Sequence, residues 1–253
     1  MTGHGIAGLW LQPWTAGMTM LSAVVPVLLM SGQTGGLPVA SVRLHGRPLF
    51  VHAARTLSEV AGPGTVVSAP PGGRHTVLAA LAADGLEALP VFEGGDTLGE
   101  VLTRVLASGG RRAPRRAASV LVHDPRCPLV PASYLRDVMA AAETDRGAVL
   151  MATRPMTDTV KSVIDGVVQA TVDRDLLRVL TSPLVLPAAL LHDLVEAGGL
   201  QQCGDVDDLV DLARAAGARV RWVPAPSMAS RVSDAAAVSV LECLTEVRAG
   251  SRS

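Results

Sequence analysis

Short apolar runs alternate along this chain with segments whose apolar residues recur every three or four positions. Ala23–Met30 is a continuous apolar run that predicts a buried first strand. Leu49–Val60 begins just after Pro48 and places Leu49, Ala53, Leu57 and Val60 on one face, which predicts a helix. The same reading gives strands at Thr65–Ser68, Ala88–Phe92, Ser119–Val122, Ala148–Ala152 and Arg219–Val223. Helices are predicted over Arg74–Ala83, Leu98–Ala107, Ala132–Ala142, Pro187–Ala197, Val206–Ala216 and from about Asp234 to Arg248. Regular alternation of this kind predicts an α/β fold, with a mostly parallel sheet between two helix layers.

One segment breaks the alternation. Between Lys161 and Arg174, Asp165-Gly166 sits among the β-branched residues Val163, Ile164, Val167 and Val168, the signature of a type I′ hairpin. A two-stranded ribbon is marginal alone, so this arm, over about residues 159–174, needs a surface to lie on, and a partner subunit is a natural one. Asp205 is placed to cap the helix that starts at Val206, with Gly217 past its end. The polar run Gly109–Arg116, with four arginines and a proline, reads as a solvated loop. We divide the chain into a loose extension over residues 1–20 and a single domain over 21–248.

Composition narrows the function. Hydrophobic residues make up 49% of the 253 and aromatics 2%, so an ample core must be built from Ala, Val and Leu. A formal charge of −1 offers no global field for nucleic acid or an anionic membrane. The apolar run Leu21–Met30 is too short to span a bilayer, and no Lys or Arg precedes it as in a signal peptide. Cys127, Cys203 and Cys243 are far apart with no CxxC, which points to a reducing compartment, the cytoplasm, and away from structural zinc.

The candidate chemistry starts at His123-Asp124-Pro125-Arg126-Cys127-Pro128. The strand before it delivers Asp124 to the carboxyl edge of the sheet, where open α/β folds bind ligands. His123-Asp124 is also readable as a hydrogen-bonded pair at a strand end, Asp173-Arg174 as an exposed ion pair, and Thr159 as an ordinary strand residue.

From about Ala23 to Leu244 the chain carries, in order, Ala23-Val24-Val25-Pro26, Leu44-His45-Gly46-Arg47-Pro48-Leu49, His123-Asp124, Asp158-Thr159-Val160-Lys161, Thr171-Val172-Asp173-Arg174, Ser182-Pro183 and Leu190-Leu191-His192-Asp193. In order and spacing this series resembles the 2-C-methyl-D-erythritol 4-phosphate cytidylyltransferases and the related pentitol-phosphate enzymes. The resemblance implies a Rossmann-like three-layer sandwich whose hairpin arm makes a homodimer. It implies transfer of CMP from CTP to a sugar-alcohol phosphate in isoprenoid precursor synthesis, with Mg²⁺ and release of pyrophosphate. Asp124 is then the catalytic and Mg²⁺-binding carboxylate, and Arg231 stands where the family carries a late Lys. Thr159 and Arg174 on the arm, with Arg126, hold the sugar phosphate. Gly32, Gly35, Gly94 and Gly95 fall in the nucleotide loops.

The nucleotide side departs from that pattern. Leu29 stands for the first glycine of the first loop, and Val39 stands where its Lys belongs. In the second loop Leu98 replaces Arg and Val101 replaces Ser, and Cys127 takes the place of an Arg with Arg126 beside it. Three readings follow: a working cytidylyltransferase with an altered nucleotide pocket, a non-catalytic paralogue that binds a phosphorylated small molecule or pairs with an active relative, and a structural dimer without ligand.

Overall fold

A computed structural model describes residues 24–30, 42–93, 95, 97–108 and 118–250. The predicted extension over 1–20, the glycines Gly32, Gly35 and Gly94, and the loop Gly109–Arg116 lie outside those residues. In chain order the first half runs β1 (Val24–Leu28), the short β2 (Arg43–Leu44) and β3 (Arg47–Pro48), α1 (Leu49–Ala61), β4 (Val66–Ala69), α2 (Arg74–Ala82), β5 (Val91–Glu93), α3 (Leu98–Ser108) and β6 (Ser119–His123). The second half runs α4 (Ala132–Thr144), β7 (Ala148–Pro155), β8 (Val160–Ile164), β9 (Val167–Val172), β10 (Arg178–Pro187), α5 (Ala188–Glu196), α6 (Val206–Ala215), β11 (Arg219–Pro224) and α7 (Ala235–Gly250).

Seven strands form the main sheet in the order β11-β7-β10-β6-β1-β4-β5. All neighbours are parallel except β10, which is antiparallel to both β6 and β7. The expected α/β class with a mostly parallel sheet is therefore what the chain adopts. Strand β10 is the element that the hydrophobic pattern did not predict. Pro183 and Pro187 within ten residues argue against a central strand, because proline cannot donate to a ladder. The pairing with β7 is irregular between Leu180 and Leu184, which is where Pro183 sits, and Pro187 ends the strand.

Alternation along the strands sends side chains into two layers. On one face Leu28, Leu121, Leu150 and Val185 pack under α1, α2 and α4, with Phe50 as the large aromatic of that layer. On the other face Val27, Val122, Met151 and Leu184 pack under α3, α5 and α6. Each fully buried aliphatic side chain contributes about 1.5–3 kcal/mol relative to exposure. A smaller cluster of Leu44, Leu49, Val232, Val238 and Leu241 fixes α7 and the segment before it.

The hairpin forms as the sequence predicts. Strands β8 and β9 pair only with each other, and Asp165 and Gly166 both have positive φ, +50° and +77°, as a type I′ turn requires. Its tip exposes Val163, Ile164, Val167 and Val168, each more than half accessible. Asp205 caps α6 through a capping box with Asp208, and Gly217 follows the helix with φ +81°. No helix among the described residues is long and apolar enough to cross a membrane.

Candidate active site

Parallel pairing of β1 with β6 brings their carboxyl ends side by side, and the Leu29 N–H donates to the His123 carbonyl at 2.9 Å. Since β10 runs the other way, Thr181 and Ser182 near its middle reach the same edge. Neither residue carried a predicted role, although Ser182-Pro183 was among the motifs of the resemblance. The Ser182 hydroxyl oxygen lies 2.7 Å from His123 Nδ1 and accepts the Asp124 N–H at 3.0 Å. His123 Nε2 faces the Cys127 carbonyl at 3.2 Å, an acceptor only, so the ring proton belongs on Nε2 and Ser182 donates to Nδ1. Burial lowers the His123 pKa to about 4, and the ring is neutral at pH 7. His123 thus acts on Asp124 through its backbone, and the simple side-chain pair between these neighbours is not what forms.

The Asp124 side chain is buried and turned toward two guanidinium groups. Its Oδ1 accepts the Arg126 backbone N–H at 2.8 Å, and the Arg126 Nε lies 3.2 Å from each oxygen. Its Oδ2 accepts from Arg126 Nη2 at 3.0 Å and from Arg231 Nε and Nη2 at 2.8 and 2.6 Å. Burial by itself pushes this carboxyl up, but Arg231 and Arg126 outweigh it and hold the pKa below the usual carboxylate range. Two hydrogen bonds fix the backbone that carries Arg231: Val232 N–H to the Arg126 carbonyl at 2.7 Å, and Arg154 to the Ser230 hydroxyl. The Arg231 side chain remains 34% accessible, so one side of it faces solvent.

Cys127, at the position of the resemblance's Arg, is fully buried. Its thiol lies 3.4 Å from the Thr181 hydroxyl, and burial raises its pKa to about 12. Arg126, one residue earlier, is engaged with Asp124.

A small cavity of about 20 Å³ adjoins this cluster, lined by Leu29, Leu98, Val122 and Val206 with Asp124 and Arg231 among its polar edge. That volume holds about one water. Two of the departures from the family pattern, Leu29 and Leu98, are therefore packed beside the carboxylate. Gly95 is needed for a local reason: a Cβ there would lie 1.9 Å from the Glu100 carboxylate oxygen.

The arm residues stand apart from this cluster within one chain. Thr159 is exposed, and Arg174 donates from Nη1 to the Thr157 carbonyl at 2.9 Å. Asp173 does not pair with Arg174; its carboxylate accepts the Asp175 N–H at 3.0 Å. Arg174 and Arg178 border a separate open cavity of about 360 Å³ at the base of the arm, with Thr153 and Pro224.

The expectation that Asp124 supplies a ligand to Mg²⁺ does not fit these donors. Mg²⁺ needs free hard oxygens in near-octahedral array, and both Asp124 oxygens are taken by cationic N–H groups. Among the described residues no group of three or more His, Cys, Asp or Glu is arranged to hold a metal.

The family model for 2-C-methyl-D-erythritol 4-phosphate cytidylyltransferase (IspD) matches residues 30–244. Proteins of that name from Saccharopolyspora erythraea and Streptomyces coelicolor are 30% and 32% identical to this chain, over 88% and 84% of it and 97% and 80% of their own lengths. The crystal structure of the Thermus thermophilus protein of that name superposes with a TM-score of 0.69 at 23% identity, covering 87% of this chain and 98% of the other. A structure of the synthase from Anaerococcus prevotii gives a TM-score of 0.68 at 14% identity, covering 89% and 99%. The family model spans most of the chain and these relatives cover more than four-fifths of it, and the chain belongs to the 2-C-methyl-D-erythritol 4-phosphate cytidylyltransferase family.

Proposed function

We propose that this chain transfers CMP from CTP to a sugar-alcohol phosphate, with 2-C-methyl-D-erythritol 4-phosphate as the first acceptor to test. A phosphate oxygen of the acceptor attacks the α-phosphorus, the bond to the bridging oxygen breaks, and pyrophosphate leaves. The observation that carries this reading is the Asp124 carboxylate flanked by the Arg126 and Arg231 guanidiniums at the carboxyl end of β6. Two anions must be brought together and charge stabilised at the α-phosphate, which is work for fixed cations. Arg231, with its exposed side, is the catalytic cation; Asp124 holds it in place as a positioning residue. Arg126 supports the same carboxylate and borders the small cavity beside it. Mg²⁺ comes to the site as the counter-ion of the triphosphate, part of the substrate.

The nucleotide is assigned to Gly32, Gly35, Gly94 and Gly95 by the family resemblance of their loops. Leu29 and Leu98 fill the space beside Asp124, where they line the small cavity. Thr159 and Arg174 act from the arm of a second copy in a homodimer; four half-exposed aliphatic side chains at the hairpin tip support an arm that lies on a partner. Three unpaired cysteines suit the cytoplasm. The relatives reported above are all named as enzymes, so the non-catalytic alternative draws no support from them.

Purified protein with CTP, Mg²⁺ and methylerythritol phosphate should release pyrophosphate, and Arg231→Ala should slow release by roughly 10²–10³-fold. Absence of turnover with every nucleotide, together with no nucleotide-dependent rise in melting temperature, would remove this reading.

A further inference from the structure

Asp124 is one carboxylate met by two guanidinium groups. Oδ2 lies within 3.0 Å of Arg126 Nη2, Arg231 Nε and Arg231 Nη2, while Oδ1 takes the Arg126 backbone N–H at 2.8 Å. An oxygen so engaged has no lone pair to give a hard cation, and any ion placed on it would sit against Arg231. The neighbouring carboxylates Asp205 and Asp208 each have one oxygen committed to the start of α6. Asp205 borders the same cavity, but its Oδ1 accepts the Asp207 and Asp208 N–H groups at the start of α6. Asp208 is turned back to the Gly204 and Asp205 N–H groups. Asp207 is exposed and acts on Arg231 through space, adding to its hold near the cluster.

We propose that Arg231 occupies the seat on Asp124 that a divalent ion would need, so that the protein carries no resident metal here and admits one only when chelated by ligand phosphates. The inference deepens the transferase reading and rests on it for the identity of those phosphates, but the seat itself is a property of the free protein. Guanidinium in place of a single ammonium makes this possible, because its planar fork puts two N–H groups on one oxygen at once.

The test is Mn²⁺ binding to the full chain without nucleotide, read as loss of the free-ion electron paramagnetic resonance signal. Wild type should show no site that Asp124→Asn removes. Because Arg126 also grips both Asp124 oxygens, the variant that frees the seat is Arg126→Gln/Arg231→Gln, which should gain one site per chain, at least about tenfold tighter than any in wild type, and adding Asp124→Asn should abolish it. Uptake of one Mn²⁺ by wild type that Asp124→Asn eliminates would overturn the proposal, and that comparison needs no Arg231 variant to fold. A folded Arg126→Gln/Arg231→Gln that gains no site would overturn it equally. Because no turnover is read, failure of the pyrophosphate assay leaves this result standing, and the two readings fail separately.

Discussion

At the scale of single residues the site is governed by how charge is neutralised under burial. Asp124 stays ionised because Arg126 and Arg231 supply more than desolvation removes. His123 stays neutral because burial outweighs what the Asp124 carboxylate and the Cys127 carbonyl offer an imidazolium. Its folded pKa is depressed from 6.5 to about 4, so between those values the unfolded chain binds a proton that the native chain refuses. Stability from this residue is complete above pH 6.5 and falls as pH drops toward 4, by roughly 3 kcal/mol over the interval. Urea titrations at pH 7.5 and 4.5 should show that loss in wild type and a smaller pH-dependent loss in His123→Gln. Leu29 and Leu98 belong to the same scale. Each is almost fully buried, 4% and 1% accessible, in the wall beside Asp124. Leu29→Ala should cost about 2–5 kcal/mol by the cavity it leaves, and should also tighten CTP binding if that wall is what excludes the nucleotide. Calorimetric titration with CTP at a temperature where the variant is folded checks the second half.

At the scale of elements, two pieces of backbone decide what the site can be. Strand β10 enters antiparallel between β6 and β7, and so places Ser182 and Thr181 beside the end of β6. The hydrophobic pattern concealed it, because its prolines are tolerated only where the ladder breaks or ends. The hairpin is the opposite case: Asp165-Gly166 requires positive φ at both positions, and that local demand was legible directly. Helix α6 starts on Asp205, whose cap was equally legible. Asp205→Ala should lower stability by about 1 kcal/mol, seen as a shift in denaturant midpoint. Its double position, as cap and as a border of the cavity, was not, since the second depends on where α6 packs.

At the scale of the whole molecule, the arm leaves aliphatic side chains in water and keeps Thr159 and Arg174 away from their own chain's carboxylate. The homodimer proposed above would resolve both. Ile164→Asp should shift the protein toward monomer, measured by sedimentation at micromolar concentration, since a charge in an apolar contact is costly. If each site combines Arg231 of one chain with Arg174 of the other, mixing inactive Arg231→Ala and Arg174→Ala proteins should restore activity. Half the re-formed dimers are mixed and each has one intact site, so about a quarter of wild-type activity is expected. No recovery, with mixed dimers shown to form, would place both cations in one chain.

The sequence by itself determined the layers, the hairpin, the cap of α6 and the position of Asp124 at a strand end, because each follows from local periodicity or from one residue's backbone needs. It also exposed the altered nucleotide side, residue by residue. Only the tertiary structure decided that Arg126 and Arg231, far apart along the chain, close on the same carboxylate, that β10 runs through the sheet, and that Leu29 and Leu98 meet beside the cluster. Those outcomes depend on which strands neighbour one another and on how buried charges share their partners, and neither is written in any short stretch of chain.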